Sequence, residues 1–298
     1  MHLILRTITA LLFSSVSLIS NLPAHAQQKG LLWQITGKNI TAPTYLYGTV
    51  HLFDTTLYRL PEPVFTKLSQ TKLVMFELDF GKINPMEMMN GIMVKDSTQR
   101  LDKLLDAASL VRLQEIIKTL PMLQMLGKNA YRLKPMFLYS FLINDGKTPS
   151  IDMEMYKRAQ ALKDSVGGLE TLAEQMQAID DIPVSKQAEM LQDALKNFTS
   201  PAESIRKLTA IYVKQDIANL MKDMSQDMPV DASFNESLLI KRNIVMANRI
   251  DALLGKQSTL IAVGAAHLAG NTGLITLLQQ KGYQLKSIPF AFTKTVTK

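Results

Sequence analysis

Residues 72–80 read Lys-Leu-Val-Met-Phe-Glu-Leu-Asp-Phe, and this run limits the possible folds more than any other part of the chain. As a strand, it puts Leu73, Met75, Glu77 and Asp79 on one face and Val74, Phe76 and Leu78 on the other. A strand that is apolar on both faces belongs in the interior of a sheet covered on both sides. Glu77 lies inside that run. A carboxylate there is costly unless it is paired, protonated or metal-bound, so the sequence demands a partner for it.

The other strand signals cluster at the two ends of the chain. LLWQITG (31–37) and TYLYGTVH (44–51) flank a loop containing Gly37, Asn39 and Pro43, which predicts a hairpin or two neighbouring strands. A short helix is expected around 61–70. The last block reads strand (258–267), helix to about Lys281 with Gly282 as its stop, then strand (283–290). Between these ends, helix starts dominate. Asn84-Pro85-Met86-Glu87 combines a cap, a first-turn proline and an acid. Thr171 with Glu174, Ser200 with Glu203 and Ser233 with Glu236 fit the capping box. One short strand, SVGGLE (165–170), interrupts them. The expected class is α+β: a central mixed β-sheet formed by N- and C-terminal segments, flanked by helices, with a large helical middle insertion over about 84–254.

Residues 1–26 have the parts of a secretory signal: Arg6, a short apolar block from Ile8 to Ile19, and the small-residue site Ala24-His25-Ala26. Cleavage there leaves residues 27–298 as a single domain, with an uncleaved anchor as the alternative. No later segment is long and apolar enough to span a bilayer, so the expected location is periplasmic or secreted, with no transmembrane anchor after cleavage. The absence of cysteine suits an oxidising compartment. A composition of 47% hydrophobic and 20% charged residues excludes a disordered chain. The net charge of +7 is spread thinly, with doublets such as Arg206-Lys207 and Lys241-Arg242, and makes no nucleic-acid track.

Without the leader, two histidines remain, and each follows a glycine by three residues: Gly48-Thr49-Val50-His51 and Gly264-Ala265-Ala266-His267. Glycine lets the backbone bend, or a neighbour approach, just before the imidazole. Alternation would place Tyr45, Tyr47, Thr49 and His51 on one strand face, and Ile261, Val263, Ala265 and His267 on another. His51, Glu77 and His267 then lie at or near strand C-termini. Those ends share one edge in a parallel arrangement, where α/β ligand sites open. Two imidazoles and a carboxylate suit a divalent metal with open positions for water and substrate. In the helix expected over 233–254, Asn243 interrupts the apolar stripe Leu239, Met246, Ile250, Leu253, and a polar residue facing a core has an assigned partner. Arg242 beside it suits a substrate clamp, an oxyanion stabiliser or an ordinary ion pair. Glu170 suits a general base or a solvated strand end. The methionines between Met86 and Met93 read as core or groove packing.

On LLWQITG, TYLYGTVHLFD, VMFELD, IDMEMYKRAQAL, GLETLAEQMQAI, KRNIVMANRIDALL and LIAVGAAHLAGNTGLITLLQQKGYQL, taken in this order, the sequence resembles the TraB/GumN family. That family is similar to the Tiki proteins, described as metal-dependent proteases, and more distantly to erythromycin esterases and ChaN-like proteins. The resemblance implies a sheet flanked by helices. It carries over His51 and His267 as motif histidines, Glu77 as the strand glutamate and Arg242 as the helix arginine. The expected activity is an exported metal-dependent hydrolase acting on a peptide or small-molecule amide or ester. His51, Glu77 and His267 would hold Mn²⁺, Co²⁺ or Zn²⁺, Arg242 would stabilise the oxyanion, and Glu170 would carry the proton. The alternatives are a metal-independent esterase-like hydrolase, with a histidine and Glu77 as base and acid, and a non-catalytic binding protein with a groove near Met86–Met93 and Met122–Met125.

Overall fold

The computed structural model describes residues 29–225 and 231–296; the leader expected over 1–26 lies outside them. Six strands form one mixed sheet: β1 (Leu32–Thr36), β2 (Thr44–Thr49), β3 (Leu73–Leu78), β4 (Ser165–Glu170), β5 (Thr259–Gly264) and β6 (Gln284–Ser287). Their order across the sheet is β4-β3-β5-β2-β1-β6. β1 pairs antiparallel with β2, as the hairpin signal predicts, and with β6 on its other side. β2, β5, β3 and β4 run parallel. The fold is therefore α+β, with the sheet drawn mainly from both ends of the chain. β3 is interior, between β4 and β5, and Val74 and Phe76 are buried.

Helices cover the sheet. Ile151 and Met155 of helix Ile151–Ala161 pack into the same core as Leu46, Phe76 and Leu260, and so do Met246 and Ile250 of helix Lys241–Leu253. A second core lies within the helical insertion, where Leu101, Leu113, Leu138, Leu142, Leu191 and Leu195 are buried together. The ion pair between Lys134 Nζ and Asp180, at 2.5 Å, ties this helical lobe to helix Leu172–Asp180 beside the sheet. Among the described residues, no helix is long and apolar enough to cross a membrane.

Several local expectations change. Thr171 and Glu174 form a full capping box, but Glu203 turns to Arg206 and leaves Ser200 to cap alone. The box expected at Ser233 does not form. Asp231 caps instead, accepting the Phe234 N–H and the Ser233 hydroxyl. The chain then passes through a π-helical turn, Asn235–Ile240, before the α-helix Lys241–Leu253 begins. The methionine-rich helix Pro85–Ile92 exposes Met86 and Met89, while its Ile92 is buried in the second core and Met88 and Met93 lean on it.

Candidate functional site

Four parallel strands bring their C-terminal ends to one edge of the sheet. Leu78 of β3 is level with Glu170 of β4, and Thr49 of β2 with Gly264 of β5. His51 lies two residues beyond β2, and His267 closes the 3₁₀ turn Ala265–His267 after β5. The alternation expected to run through both histidines thus stops at Thr49 and Gly264, where the backbone turns. The motif glycines are sites of close approach. A Cβ on Gly264 would stand 3.1 Å from Glu77 Oε1, and one on Gly48 would stand 2.7 Å from Leu268.

Glu77 receives the partners its position demands. Its Oε1 accepts the Gly264 N–H at 2.7 Å and lies 3.6 Å from His267 Nε2. Its Oε2 accepts from Arg242 Nη2 at 2.6 Å and from Gln175 Nε2 at 3.3 Å. Arg242 also grips Glu170, through Nη2 at 2.7 Å and Nε at 3.1 Å, and its Nη1 donates to Leu238 O in the π-helical turn. One guanidinium therefore bridges two buried carboxylates. Side-chain exposure is 14% for Arg242 and Glu77 and 2% for Glu170. Burial alone pushes the Glu77 carboxyl upward, but the charge His267 gains in acid, the charges of Arg242 and His51 and the Gly264 N–H outweigh it and hold it at about 2. Burial also works against the Arg242 charge, and Glu170 and Glu77 more than offset it, so its pKa lies above the ordinary value.

Both imidazoles are tied back at Nδ1. His267 Nδ1 lies 2.7 Å from Asn243 Oδ1, while the Asn243 amide donates to Thr272 O at 2.9 Å. The amide oxygen must therefore accept, which puts the His267 proton on Nδ1 and its lone pair on Nε2. Burial lowers His267 to about 4, against the pull of Glu77 and with help from Arg242 and His51, so the ring is neutral at pH 7. His51 Nδ1 lies 3.2 Å from Asp152 Oδ2. Asp152 also accepts from Thr49 Oγ1 at 2.6 Å and from Ser150 Oγ at 3.1 Å. Its side chain is 6% exposed, whereas that of His51 is 74% exposed. The hydrogen bond to Asp152 and its charge raise His51 to about 9, so a ligand role requires loss of the Nε2 proton.

Residues 31–287, which hold every group named so far, match the family model described as the TraB/PrgY/gumN family. The chain belongs to that family. Among curated proteins it is similar to Metalloprotease TIKI2 of Danio rerio, at 23% identity over 87% of this chain and 61% of the relative. It is similar to Metalloprotease TIKI2 of Xenopus tropicalis, at 24% identity over 86% of this chain and 60% of the relative. It is also similar to Metalloprotease TIKI1 of Homo sapiens, at 21% identity over 90% of this chain and 63% of the relative. The chain thus spans less than two thirds of the length of these relatives. No solved structure gives a significant match.

The donor chemistry of His267 and Glu77 suits a divalent ion. Two ligands of a tetrahedral ion, with bonds of about 2.0–2.1 Å, stand roughly 3.4 Å apart, and His267 Nε2 and Glu77 Oε1 are 3.6 Å apart. Among the described residues, however, no three His, Cys, Asp or Glu groups are already gathered to hold an ion. Glu77 is engaged by Arg242 instead. Arg242 and Glu170 are joined to each other and to Glu77, so the ion-pair reading of Arg242 describes what the fold contains. Asp152 and Gln175 are absent from the sequence-based site. Asp152 carries the same signal that marks Asn243: a polar residue in an apolar stripe, here Asp152, Met155, Ala159. Gln175 donates to both Glu77 and Glu170 from a capped helix whose sequence carries no such signal.

Proposed function

We propose that this chain is an exported metal-dependent hydrolase of the peptidase or amidase kind, acting at His51, Glu77 and His267, with Mn²⁺, Co²⁺ or Zn²⁺ as the ion. The observation that carries the reading is the shared treatment of two imidazoles from two like motifs. Each Nδ1 is tied to a buried acceptor, which leaves Nε2 as the ligand atom beside the strand edge that bears Glu77. Histidine ligands are oriented in this way. The ion would supply Lewis acidity and a water acidified toward neutrality.

The chain's own groups have distinct tasks. Asp152 and Asn243 fix the ring planes and the proton positions. The Gly264 N–H orients Glu77 Oε1. Arg242 keeps Glu77 ionised and holds Glu170 beside it. For Arg242 to stabilise the carbonyl oxygen as it becomes negative, and for Glu170 to carry the proton, their mutual contact must loosen when substrate enters. The substrate class is a peptide or a related amide or ester.

The test is calorimetric titration of the purified chain with each ion, with and without His51→Ala and His267→Ala. Loss of binding in folded variants supports the proposal, and undiminished binding in the double variant rejects it. A second reading draws on the contact between neutral His267 and ionised Glu77. His267 would accept a proton as base without metal, and Glu77 would act as acid only after taking up that proton, as in an esterase. Full turnover after exhaustive chelation would select that reading.

A further inference from the structure

Leu52, the residue after His51, is buried and forms one wall of an apolar pocket of about 110 Å³. The other walls include Tyr139, Ile205, Leu208, Met221 and Phe234. Two of these six residues sit on segments that carry the site. Leu52 adjoins His51, and Phe234 ends the turn that leads through Asn235–Ile240 into Arg242 and Asn243. The helix Pro201–Tyr212, which supplies Ile205 and Leu208, is also fastened to the site edge. Tyr212 donates to Gly48 O at 2.6 Å, and Thr209 Oγ1 accepts the Asp54 N–H at 2.9 Å. Among the described residues, no carboxylate lines the pocket.

We propose that this pocket receives one large apolar side chain, of the leucine, methionine or phenylalanine class, from a peptide whose backbone crosses the His51–Glu77–His267 edge. The proposal rests on the hydrolase reading and adds the substrate's side-chain class. An apolar cavity of about 150 Å³ takes up benzene, so this one accommodates a single side chain. Branched aliphatics, an aromatic ring and the pliable thioether of Met221 suit apolar groups of differing shape. Lys207 stands on the lining, so a cationic side chain would lose its hydration there, meet a like charge and find no carboxylate. An alanine side chain would leave the walls unfilled.

The test uses the chain with methyl-¹³C methionine, titrated with N-acetyl-leucine amide, N-acetyl-alanine amide and Nα-acetyl-lysine amide. The Met221 and Met224 methyl resonances should shift saturably with the leucine amide and bind the other two at least tenfold more weakly. Leu208 is half-buried and Met224 is exposed, so both sites tolerate change without loss of the fold. Leu208→Gln, which adds polarity, and Met224→Trp, which fills space, should each weaken leucine-amide binding at least fivefold. The absence of a saturable shift overturns the proposal. Equal binding of the alanine amide, or indifference to both variants, does so too. Saturable octanoate binding without a leucine response assigns the pocket to an acyl chain instead and also overturns it. Hydrolysis is a separate arm. In a cleaved peptide, replacing the apolar residue with alanine should lower kcat/KM by roughly tenfold to a hundredfold. A chain that binds the leucine amide but cleaves nothing keeps the pocket and loses the hydrolase. One that cleaves peptides with no apolar preference keeps the hydrolase and loses the pocket.

Discussion

Arg242→Met removes the charge that joins Glu77 to Glu170 while keeping most of the side chain's apolar stem. The two carboxylates then face each other, 14% and 2% exposed, with Gln175 as their shared neutral donor. Removing one partner of a buried ion network costs about 3–5 kcal/mol. A domain of this size melts about 2–4 °C lower per kcal/mol, so the melting temperature should fall by roughly 6–20 °C at pH 7. Adding Glu170→Gln should return part of that loss, because one buried charge no longer repels the other. The double-mutant cycle should therefore show a coupling of about 1 kcal/mol or more. Thermal melts by circular dichroism and urea unfolding supply the numbers. An Arg242→Met chain within about 1 kcal/mol of the parent, or a strictly additive cycle, would refute the view that this bridge holds the site together.

Other outcomes follow from single contacts. Glu174 is held at about 2, chiefly by its hydrogen bonds from Arg249, with the Thr171 N–H adding to them. Its folded pKa lies below its ordinary value, so its contribution is complete above pH 4.5 and is lost as the pH falls through about 2. Since the side chain is 41% exposed, screening limits the effect, and Glu174→Gln should cost about 1 kcal/mol at pH 6 in urea, with the gap closing toward pH 2. A gap that widens on acidification contradicts this. Asn243→Leu strands the buried His267 Nδ1–H and should cost about 1–3 kcal/mol, together with a roughly 10–100-fold weaker metal affinity by calorimetry. Metal binding that survives intact would show that His267 needs no such support. Gly48→Ala forces a Cβ to 2.7 Å from Leu268 and 3.0 Å from the Ala265 backbone, and should cost about 1–3 kcal/mol in calorimetric melting. A neutral result would mean that β2 and the turn after β5 separate easily.

The sequence reveals most where one residue breaks a strong pattern. Glu77 in a two-faced apolar strand and Asn243 in an apolar helix stripe both announce buried partners, and both have them. Asp152 is legible by the same criterion. Its local surroundings also read as an ordinary helix start after Ser150, which hides the break. The interior place of β3 follows from its composition, but its neighbours β4 and β5 are distant in the chain and no local signal names them. Ser233 to Glu236 matches a capping box in spacing, yet Asp231 captures the cap two residues earlier, and the π-helical turn that follows leaves no mark in the pattern of apolar residues. Methionine spacing suggests packing, but Met86 and Met89 face outward, because thioethers at helical spacing do not say which face is covered.

Anomalous diffraction from crystals grown with Co²⁺, recorded at the cobalt edge, tests most directly whether the two imidazoles and Glu77 form one centre. A single peak about 2.0–2.2 Å from His51 Nε2, His267 Nε2 and a Glu77 oxygen is the predicted result. A map with no peak at that strand edge, or with cobalt held elsewhere, would contradict it.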